Sequence, residues 1–198
     1  MQHRKSYEIS IFVIGCILIN CIGKWLAGAL QLPLWMDSFG TVLAAYVLGP
    51  ICGAFIGAAV NIIYGLHSSL SLVYALTNVA LGILVGICAR KGFFENLFRT
   101  LSLSFLVTMI SVLVSAPLNY FFSNGMTGNV WGDGVVGFLE LMGIQKVIRC
   151  IIGEFYVDFL DKVITLLLFF FILKAKVVRK KDGRRSHVRK KTWLGLLF

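Results

Sequence analysis

Residues 32 to 65 read LPLWMDSFGTVLAAYVLGPICGAFIGAAVNIIYG, and this stretch decides how the rest of the chain is arranged. It predicts two short helices hinged at Gly49-Pro50, because proline removes an amide donor and disfavours helix at the residue before it. One flank of both helices carries almost no side-chain bulk, since it is formed by Gly40, Ala44, Ala45, Gly49, Gly53, Ala54, Gly57 and Ala58. Other helices are therefore expected to pack very close to this flank.

The composition of the chain places it in a membrane. Of its 198 residues, 58% are hydrophobic and 14% are charged, and the mean hydropathy is +0.86. A water-soluble core of this size cannot hide that much apolar surface. Because the apolar runs are long and uninterrupted, the predicted fold class is an all-α integral membrane protein.

The distribution of charge decides whether residues 39 to 64 cross the membrane once or twice. A single crossing would put the basic loop at residues 90 to 99 outside and the two basic ends on opposite sides, against the positive-inside tendency. A break at Gly49-Pro50 puts all three basic segments inside. Each half is then shorter than the roughly 20 residues that cross hydrocarbon, so both halves are expected to be shielded by neighbouring helices.

The other apolar runs complete a predicted bundle of six transmembrane helices. The first span is expected over residues 9 to 31, although Ala27-Gly28-Ala29 resembles a signal-peptidase site and a cleaved leader is the alternative. The fourth, fifth and sixth spans are expected over residues 72 to 89, 101 to 122 and 153 to 173. Between the last two, residues 123 to 149 are rich in turn formers and predict an outer loop with a short helix around residues 135 to 142.

The net charge of +10 is concentrated near the end of the chain. Ten of the nineteen Lys and Arg residues lie between residues 174 and 191, directly after the last apolar run. This distribution predicts a membrane domain at 1–175 and a basic cytoplasmic tail at 176–198, with both termini in the cytoplasm. It argues against a nucleic-acid partner, whereas a secondary contact of the tail with anionic lipid is compatible with it.

Polar residues of the predicted spans collect at one level, in the outer halves of the helices. They are Lys24, Asp37, Asn61, Asn78, Asn119, Asp158, Asp161 and Lys162. Buried amides and charges cost free energy unless they are paired, so this level predicts a cavity that is shared by the helices and open to the exterior. For Lys24 the alternative is a side chain that extends to the nearby interface.

The sixth predicted span carries the largest group of acids. Its spacing places Glu154, Asp158, Asp161 and Thr165 on one helix face. The alternative is a plain ion pair between Asp158 and Lys162, with Glu154 in water. Near this level are also seven aromatic residues suited either to stacking on a planar ligand or to an interfacial belt, namely Trp25, Trp35, Tyr64, Tyr74, Tyr120, Trp131 and Tyr156.

Signatures of enzymes and metal sites are missing from the sequence. It contains no nucleotide-binding glycine loop, His-Glu-x-x-His or serine elbow, so no catalytic activity is expected and any uphill transport needs energy from another subunit. The five cysteines show no Cys-x-x-Cys spacing, and the three histidines are widely scattered. Neither a metal site nor a cofactor is predicted.

A first apolar helix, the run LPLWMDSFGTVLAAYVLGPICGAFIGAAVNII and the Asp-Lys pair in DFLDKVIT together resemble a known family. Over residues 9 to 175 the chain is similar to the substrate-binding S components of energy-coupling factor (ECF) transporters, which are bacterial vitamin importers. The resemblance implies a six-helix S-component-like fold in a bacterial plasma membrane. It also implies capture of a vitamin or related micronutrient at the extracellular face and association with a membrane scaffold (T) subunit and two ATPase subunits.

The resemblance further implies which residues bind the substrate. Family sites are built from the first loop and from helices four to six with their outer loops, which here gives Trp35, Met36, Asp37, Tyr74, Asn78, Asn119, Tyr120, Trp131, Asp158, Asp161 and Lys162. The family docks its scaffold subunit through an Ala-x-x-x-Ala pattern in the first helix, which this chain lacks. Its expected docking residues are instead Gly15 and Cys16, with contributions from Gly53 and Gly57.

Two other functions are compatible with the sequence: the membrane sensor portion of a signalling protein, and a self-sufficient small transporter, for which an inverted repeat would be typical. Acids outnumber bases on the predicted outer side, which favours a neutral or cationic ligand. We therefore expect a thiamine-, pyrimidine- or B6-like heterocycle that stacks on Trp35 or Trp131 and is held by Asp161.

Overall fold

The structure is a computed structural model. It describes the backbone of residues 2–66, 71–72 and 74–194, and the side chains of residues 7–66, 71–72 and 74–175. Within these ranges the regular elements are all helices, which are α1 (Gln2–Ala29), α2 (Phe39–Val47), α3 (Pro50–Gly65), α4 (Ala75–Arg90), α5 (Leu97–Phe122), α6 (Val130–Leu141) and α7 (Lys146–Leu194). The prediction of an all-α fold is confirmed.

Two of the described helices are long and apolar enough to cross a membrane. They are the part of α1 from Tyr7 to Ala29, and α5. α3 and α4 are apolar but have only 16 residues each, and the apolar run of α7 is interrupted by Asp158, Asp161 and Lys162. The count of six spans stays a prediction.

The surface of the bundle is rich in large apolar side chains. Ile51 is 83% exposed, Phe98 79% and Leu113 75%, and a row of isoleucines and leucines faces outward along α1. Water-soluble monomers rarely expose apolar surface on this scale. Together with the two long apolar helices, this surface indicates a membrane-associated protein.

The chain turns sharply between α2 and α3. α2 ends at Val47 and α3 begins at Pro50, with Gly49 at a φ of 100°. This left-handed region is open to glycine at little cost. Pro50 then occupies the first position of α3, where its missing N–H is not needed.

Glycines bring α3 and α4 into backbone contact. A Cβ atom added to Gly57 would lie 2.5 Å from the carbonyl oxygen of Asn78, and one added to Gly82 would lie 2.4 Å from the amide nitrogen of Ala54. Gly53 is similarly enclosed, since its added Cβ would lie 2.6 Å from the Cβ of Ala45. The close packing predicted from the small-residue flank is thus made within the chain itself.

This packing determines which of the predicted docking residues are accessible to a partner. Gly53 and Gly57 are buried between α3 and its neighbours, and Cys16 is buried in a small cluster with Ala44 and Ile56. These three residues serve the protein's own packing and offer no surface to a partner. Only Gly15 of the four has open space around it.

Some helix boundaries differ from the sequence prediction. α6 begins at Val130, five residues before the predicted start, because the side chain of Asn129 accepts hydrogen bonds from the amides of Trp131 (3.0 Å) and Gly132 (3.5 Å). An asparagine in this position caps the exposed amides of a helix start. α5 begins at Leu97 rather than near residue 101 and continues through Pro117 to the predicted end at Phe122, and α7 begins at Lys146 rather than near residue 153.

The largest buried apolar cluster lies where the end of α4, the start of α5 and the middle of α7 meet, and we call it the aromatic end. It includes Val42, Leu81, Val85, Phe94, Leu103, Val107, Leu166 and Phe169. The ring of Phe169 lies at its centre, with centroid distances of 5.1 Å to Phe94 and 5.2 Å to Tyr46 in edge-to-face geometry. Such pairs add stability beyond the area that they bury.

Candidate ligand-binding site

A polar cavity of about 40 Å³ lies at the opposite ends of the same helices. Its wall is formed by Lys24, Trp35, Asp37, Asn61, Tyr74, Thr77, Asn78, Ser115, Glu154 and Asp158. We call this region the cavity end. Every wall residue is polar or aromatic.

One side of the wall is organised around Lys24. Its ammonium nitrogen donates a hydrogen bond to Asn61 Oδ1 (3.1 Å) and lies 3.6 Å from Asp37 Oδ2. It also lies 4.9 Å from the ring centroid of Tyr64 and 5.9 Å from that of Trp35. Lys24 therefore points into the protein rather than to the interface. Its charge is balanced by the Asp37 carboxylate and by two aromatic faces.

The opposite side of the wall is built around Glu154, which is only 1% exposed. Its carboxylate accepts a hydrogen bond from the side-chain amide of Asn119, and the carbonyl oxygen of that amide accepts one from the hydroxyl of Tyr74. Tyr74 also donates to the backbone carbonyl of Thr127 (3.3 Å). This relay joins α7, α5 and the start of α4, and it excludes the interpretation in which Glu154 lies in water.

Asp161 holds the loop that carries Trp35 and Asp37. Its Oδ1 accepts hydrogen bonds from the amides of Trp35 (3.2 Å) and Met36 (2.8 Å), and its Oδ2 accepts one from the hydroxyl of Ser38 (3.1 Å). A carboxylate that receives several backbone N–H groups fixes that backbone strongly. Asp161 therefore lies behind the cavity wall and positions the loop.

Lys162 forms ion pairs with two acids of α7, Asp161 and Asp158. Its ammonium nitrogen lies 2.6 Å from Asp161 Oδ2 and 3.7 Å from Asp158 Oδ1. The ion pair with Asp158 that the sequence offered as an alternative is thus present. It is the longer of the two contacts, so Lys162 is shared unequally between the two acids.

Three polar atoms of the wall have no hydrogen-bond partner among the described residues. They are the hydroxyls of Thr77 and Ser115 and the Oδ2 atom of Asp158, and all three are buried. A buried polar group without a partner costs about 1 to 3 kcal/mol, so native proteins keep few of them without a reason. Their position on one cavity wall points to a polar ligand that completes their hydrogen bonds.

The structure divides the predicted substrate residues into three groups, which lie on the cavity wall, behind it or away from it. Trp35, Asp37, Tyr74, Asn78 and Asp158 lie on the wall. Asn119, Asp161 and Lys162 lie behind it, as does the backbone amide of Met36.

Tyr120 and Trp131 lie away from the cavity wall. The ring of Tyr120 lies under the ammonium of Lys146, 4.7 Å from it. Trp131 is 52% exposed and donates from its indole nitrogen to the carbonyl of Gln31 (2.7 Å). That bond ties α6 to the loop after α1, which gives Trp131 a structural contact in place of the stacking predicted for it.

Five wall residues are not among the substrate residues that the family resemblance implies. Lys24, Asn61 and Glu154 stand out in the sequence as polar residues within apolar runs. Thr77 and Ser115 carry no such signal, because hydroxyl side chains are common in apolar helices, where they bond to their own backbone.

The formal charges of the wall are three carboxylates, Asp37, Glu154 and Asp158, against the one ammonium of Lys24. The described residues contain no group of three carboxylate, histidine or cysteine side chains arranged to hold a metal ion. The excess of acceptors on the wall suits a ligand with hydrogen-bond donors.

Comparison with protein-family models, with curated proteins and with solved structures returned no match to this chain.

Proposed function

We propose that this chain is the substrate-binding subunit of an ECF-type importer. In this role it captures a vitamin-like heterocycle at the extracellular face of a bacterial plasma membrane and releases it after association with a membrane scaffold subunit and two ATPase subunits. The polar wall of the cavity, with buried carboxylates and unpartnered hydroxyls inside an apolar bundle, carries the proposal. Polar groups of this kind inside an apolar bundle mark a binding site or a transport pathway.

The composition of the wall supports capture rather than catalysis. It offers hydrogen-bond acceptors, one ammonium and two aromatic rings, Trp35 and Tyr74, whose centroids are 6.4 Å apart at a tilt of 40°. A planar ligand that enters beside these rings gains stacking and directed hydrogen bonds at once. The binding energy then comes from groups that are already positioned by Asp161 and by the relay from Glu154 to Tyr74.

The proposed orientation puts the cavity end outside and the aromatic end towards the cytoplasm. The basic residues Arg90, Lys91 and Arg99 lie at the aromatic end, beside the loop from α4 to α5. A cytoplasmic position for these residues agrees with the positive-inside tendency.

Purification from the native membrane tests the proposal. We expect a membrane scaffold protein and two ATPases to co-purify with the chain. We also expect the pure chain in proteoliposomes to bind ligand without ATP-driven accumulation. ATP-driven uptake by the pure chain would contradict the proposal, and accumulation driven by an ion gradient alone would favour a self-sufficient transporter. Co-purification of a histidine kinase in place of the ATPases would favour a sensor.

A pair of variants in α1 tests the docking surface within the same experiment. Gly15 and Gly28 both have open space where a side chain would extend, so leucine at either position leaves the chain's own packing intact. We expect Gly15→Leu to reduce co-purification of the scaffold protein and Gly28→Leu to leave it unchanged. Equal yields from both variants would move the docking surface away from Gly15.

A further inference from the structure

The three carboxylates of the cavity wall differ in how far the protein already neutralises them. Asp37 has the ammonium of Lys24 at 3.6 Å and accepts a hydrogen bond from Asn78 (3.3 Å). Its charge is therefore met by the protein itself. Lys24 pairs with no second acid among the described residues, so Asp37 keeps its cation to itself.

Asp158 is neutralised much less. The nearest cation, Lys162, lies 3.7 Å from its Oδ1 and only 2.6 Å from Asp161, and Asp161 has three further donors. The second oxygen of Asp158 has no partner, although the residue is only 4% exposed. An open acceptor with negative charge thus faces the cavity.

Glu154 stands one helical turn before Asp158 on the same face of α7. Its described hydrogen bond comes from the neutral amide of Asn119. The two carboxylates therefore form a pair on one wall, and the hydroxyls of Ser115 on α5 and Thr77 on α4, both unpartnered and at least nine-tenths buried, line the same cavity. A group that satisfies both carboxylates must donate several hydrogen bonds, and these bonds are strongest when the group carries positive charge.

We propose that Glu154 and Asp158 recognise a positively charged N–H group, and that the ligand is an organic cation with a planar ring beside Trp35 and Tyr74. This inference rests on the capture function proposed above and names the chemical class of the substrate. Ser115 and Thr77 complete the hydrogen bonds of the same group. Asp161, which the sequence suggested as the ligand's partner, positions the loop instead.

The first test identifies what the full-length protein retains after gentle purification into lipid nanodiscs. We expect mass spectrometry to find a compound that is positively charged at neutral pH and has N–H donors. Glu154→Gln and Asp158→Asn should each lose it, whereas Glu140→Gln, an exposed acid of α6 that pairs with Arg149, should retain it. Retention of an anion or a neutral compound would overturn the inference, as would equal retention by all variants.

If no compound is retained, the affinities of two matched probes test whether the site prefers a cation to a neutral ligand. Pyridoxamine and pyridoxine differ in one substituent, an aminomethyl group that is protonated at neutral pH against a neutral hydroxymethyl group. We expect pyridoxamine to bind at least 10-fold more tightly, as read from tryptophan fluorescence. Each carboxylate variant should weaken pyridoxamine about 10- to 150-fold, the loss typical of one charge-assisted hydrogen bond, and pyridoxine much less. Equal affinity for the two probes, or no binding of either, would overturn the inference.

Ser115→Ala provides a second test of the proposed site if a carboxylate variant fails to fold. The Ser115 hydroxyl lies beside Glu154 and makes no well-formed hydrogen bond among the described residues, so its removal should change the melting temperature little. It should weaken the retained cation or pyridoxamine about 2- to 10-fold, as expected for one neutral hydrogen bond. An unchanged affinity would remove Ser115 from the site and overturn the proposed geometry.

Failure of this inference and failure of the proposed function give different results. A chain that co-purifies with ATPases but retains a neutral compound has the proposed function and another substrate class. A chain that binds pyridoxamine through Glu154 and Asp158 but never associates with ATPases has the proposed site and another function.

Discussion

The cavity end and the aromatic end are built from the same three helices but from opposite chemistry. Along α4 the buried residues change from Thr77 and Asn78 to Val85. Along α7 they change from Glu154 and Asp158 to Leu166 and Phe169. α5 runs the other way and is mixed near its start, where Leu103 and Val107 alternate with buried hydroxyl residues, before Ser115 and Asn119 near its end. α4 and α7 thus change from polar wall to apolar packing along their length, and α5 contributes residues to both ends.

This division separates stability from recognition. At the aromatic end apolar rings and branched side chains fill space without unpaired polar atoms, which favours a single packed arrangement. At the cavity end the protein keeps three buried polar atoms without partners, and each of them costs stability. Variants should therefore act on unfolding at one end and on binding at the other.

The largest effect is expected at the centre of the aromatic end. Phe169→Ala removes a ring that is 1% exposed and contacts Phe94 and Tyr46. We expect it to lower the free energy of unfolding by about 3 to 5 kcal/mol, measured by thermal unfolding in detergent. Phe171→Ala, two residues on and 57% exposed, is the control and should change stability by far less. Equal losses would mean that the cluster is not the core of the fold.

The second effect concerns the contact between the two ends, where Asp161 holds the loop at residues 35–38. Asp161→Asn keeps the shape of the side chain but removes the charge that attracts Lys162 and two backbone amides. We expect local opening of this loop to become easier by about 1.5 to 3 kcal/mol, measured by hydrogen exchange at residues 35–38.

Asp133→Asn is the matched control for Asp161→Asn. Asp133 holds another loop, through Thr127 and Gly128, and its removal should leave exchange at residues 35–38 unchanged. Unchanged exchange in Asp161→Asn itself would show that the loop is fixed by its other contacts.

The third effect tests the close packing of α3 and α4. In Gly82→Ala the new methyl group would lie 2.4 Å from the backbone of Ala54, so the helices must separate. We expect a loss of about 1 to 3 kcal/mol in the free energy of unfolding. Gly134→Ala in α6 has open space and should be neutral or slightly stabilising, because alanine favours helix over glycine. Tolerance of Gly82→Ala would mean that this crossing is wider than described.

The sequence predicts the cavity end better than the details within it. Lys24, Asn61, Asn78 and Asp158 are predicted to share a cavity from the cost of burying charges and amides alone, and the structure places all four on one wall. This works because such residues have few alternatives inside an apolar bundle.

Hydroxyl residues show why the remaining wall residues could not be predicted from the sequence. On α5, Ser104 and Thr108 donate to backbone carbonyls one turn earlier, at 3.0 and 2.9 Å, whereas Ser115 on the same helix donates to none. All three lie in similar apolar surroundings in the sequence. Which hydroxyl is left free for a ligand depends on local backbone geometry and on the shape of the cavity.

Asp158 and Asp161 pose the same difficulty for acids. They lie three residues apart on one helix face, and the sequence assigns the ligand contact to Asp161. The register of α7 against the loop at residues 35–38 gives Asp161 three donors from the loop and leaves Asp158 facing the cavity.

The role of a small residue such as Gly53 is also ambiguous in the sequence. Glycine permits another helix to approach closely, but it does not specify whether that helix belongs to the same chain or to a partner.

The smallest change in affinity, and the one that separates two models of recognition, is expected at Lys24. Lys24→Gln removes the one cation that the described residues place on the cavity wall and keeps a donor for Asn61. Because the side chains of Lys24 and Asp37 are only 14% and 8% exposed, the loss of the ammonium leaves a buried carboxylate without its cation and should lower stability by up to about 3 to 5 kcal/mol. If Glu154 and Asp158 bind a cation, removing a nearby positive charge should strengthen pyridoxamine binding by up to about 5-fold and leave pyridoxine unchanged.

Lys146→Gln, which removes a cation that contacts Asn124 and Tyr120 outside the cavity, should change neither affinity. A loss of affinity for both probes in Lys24→Gln would instead show that Lys24 itself contacts the ligand. The substrate would then carry an acidic group that binds Lys24.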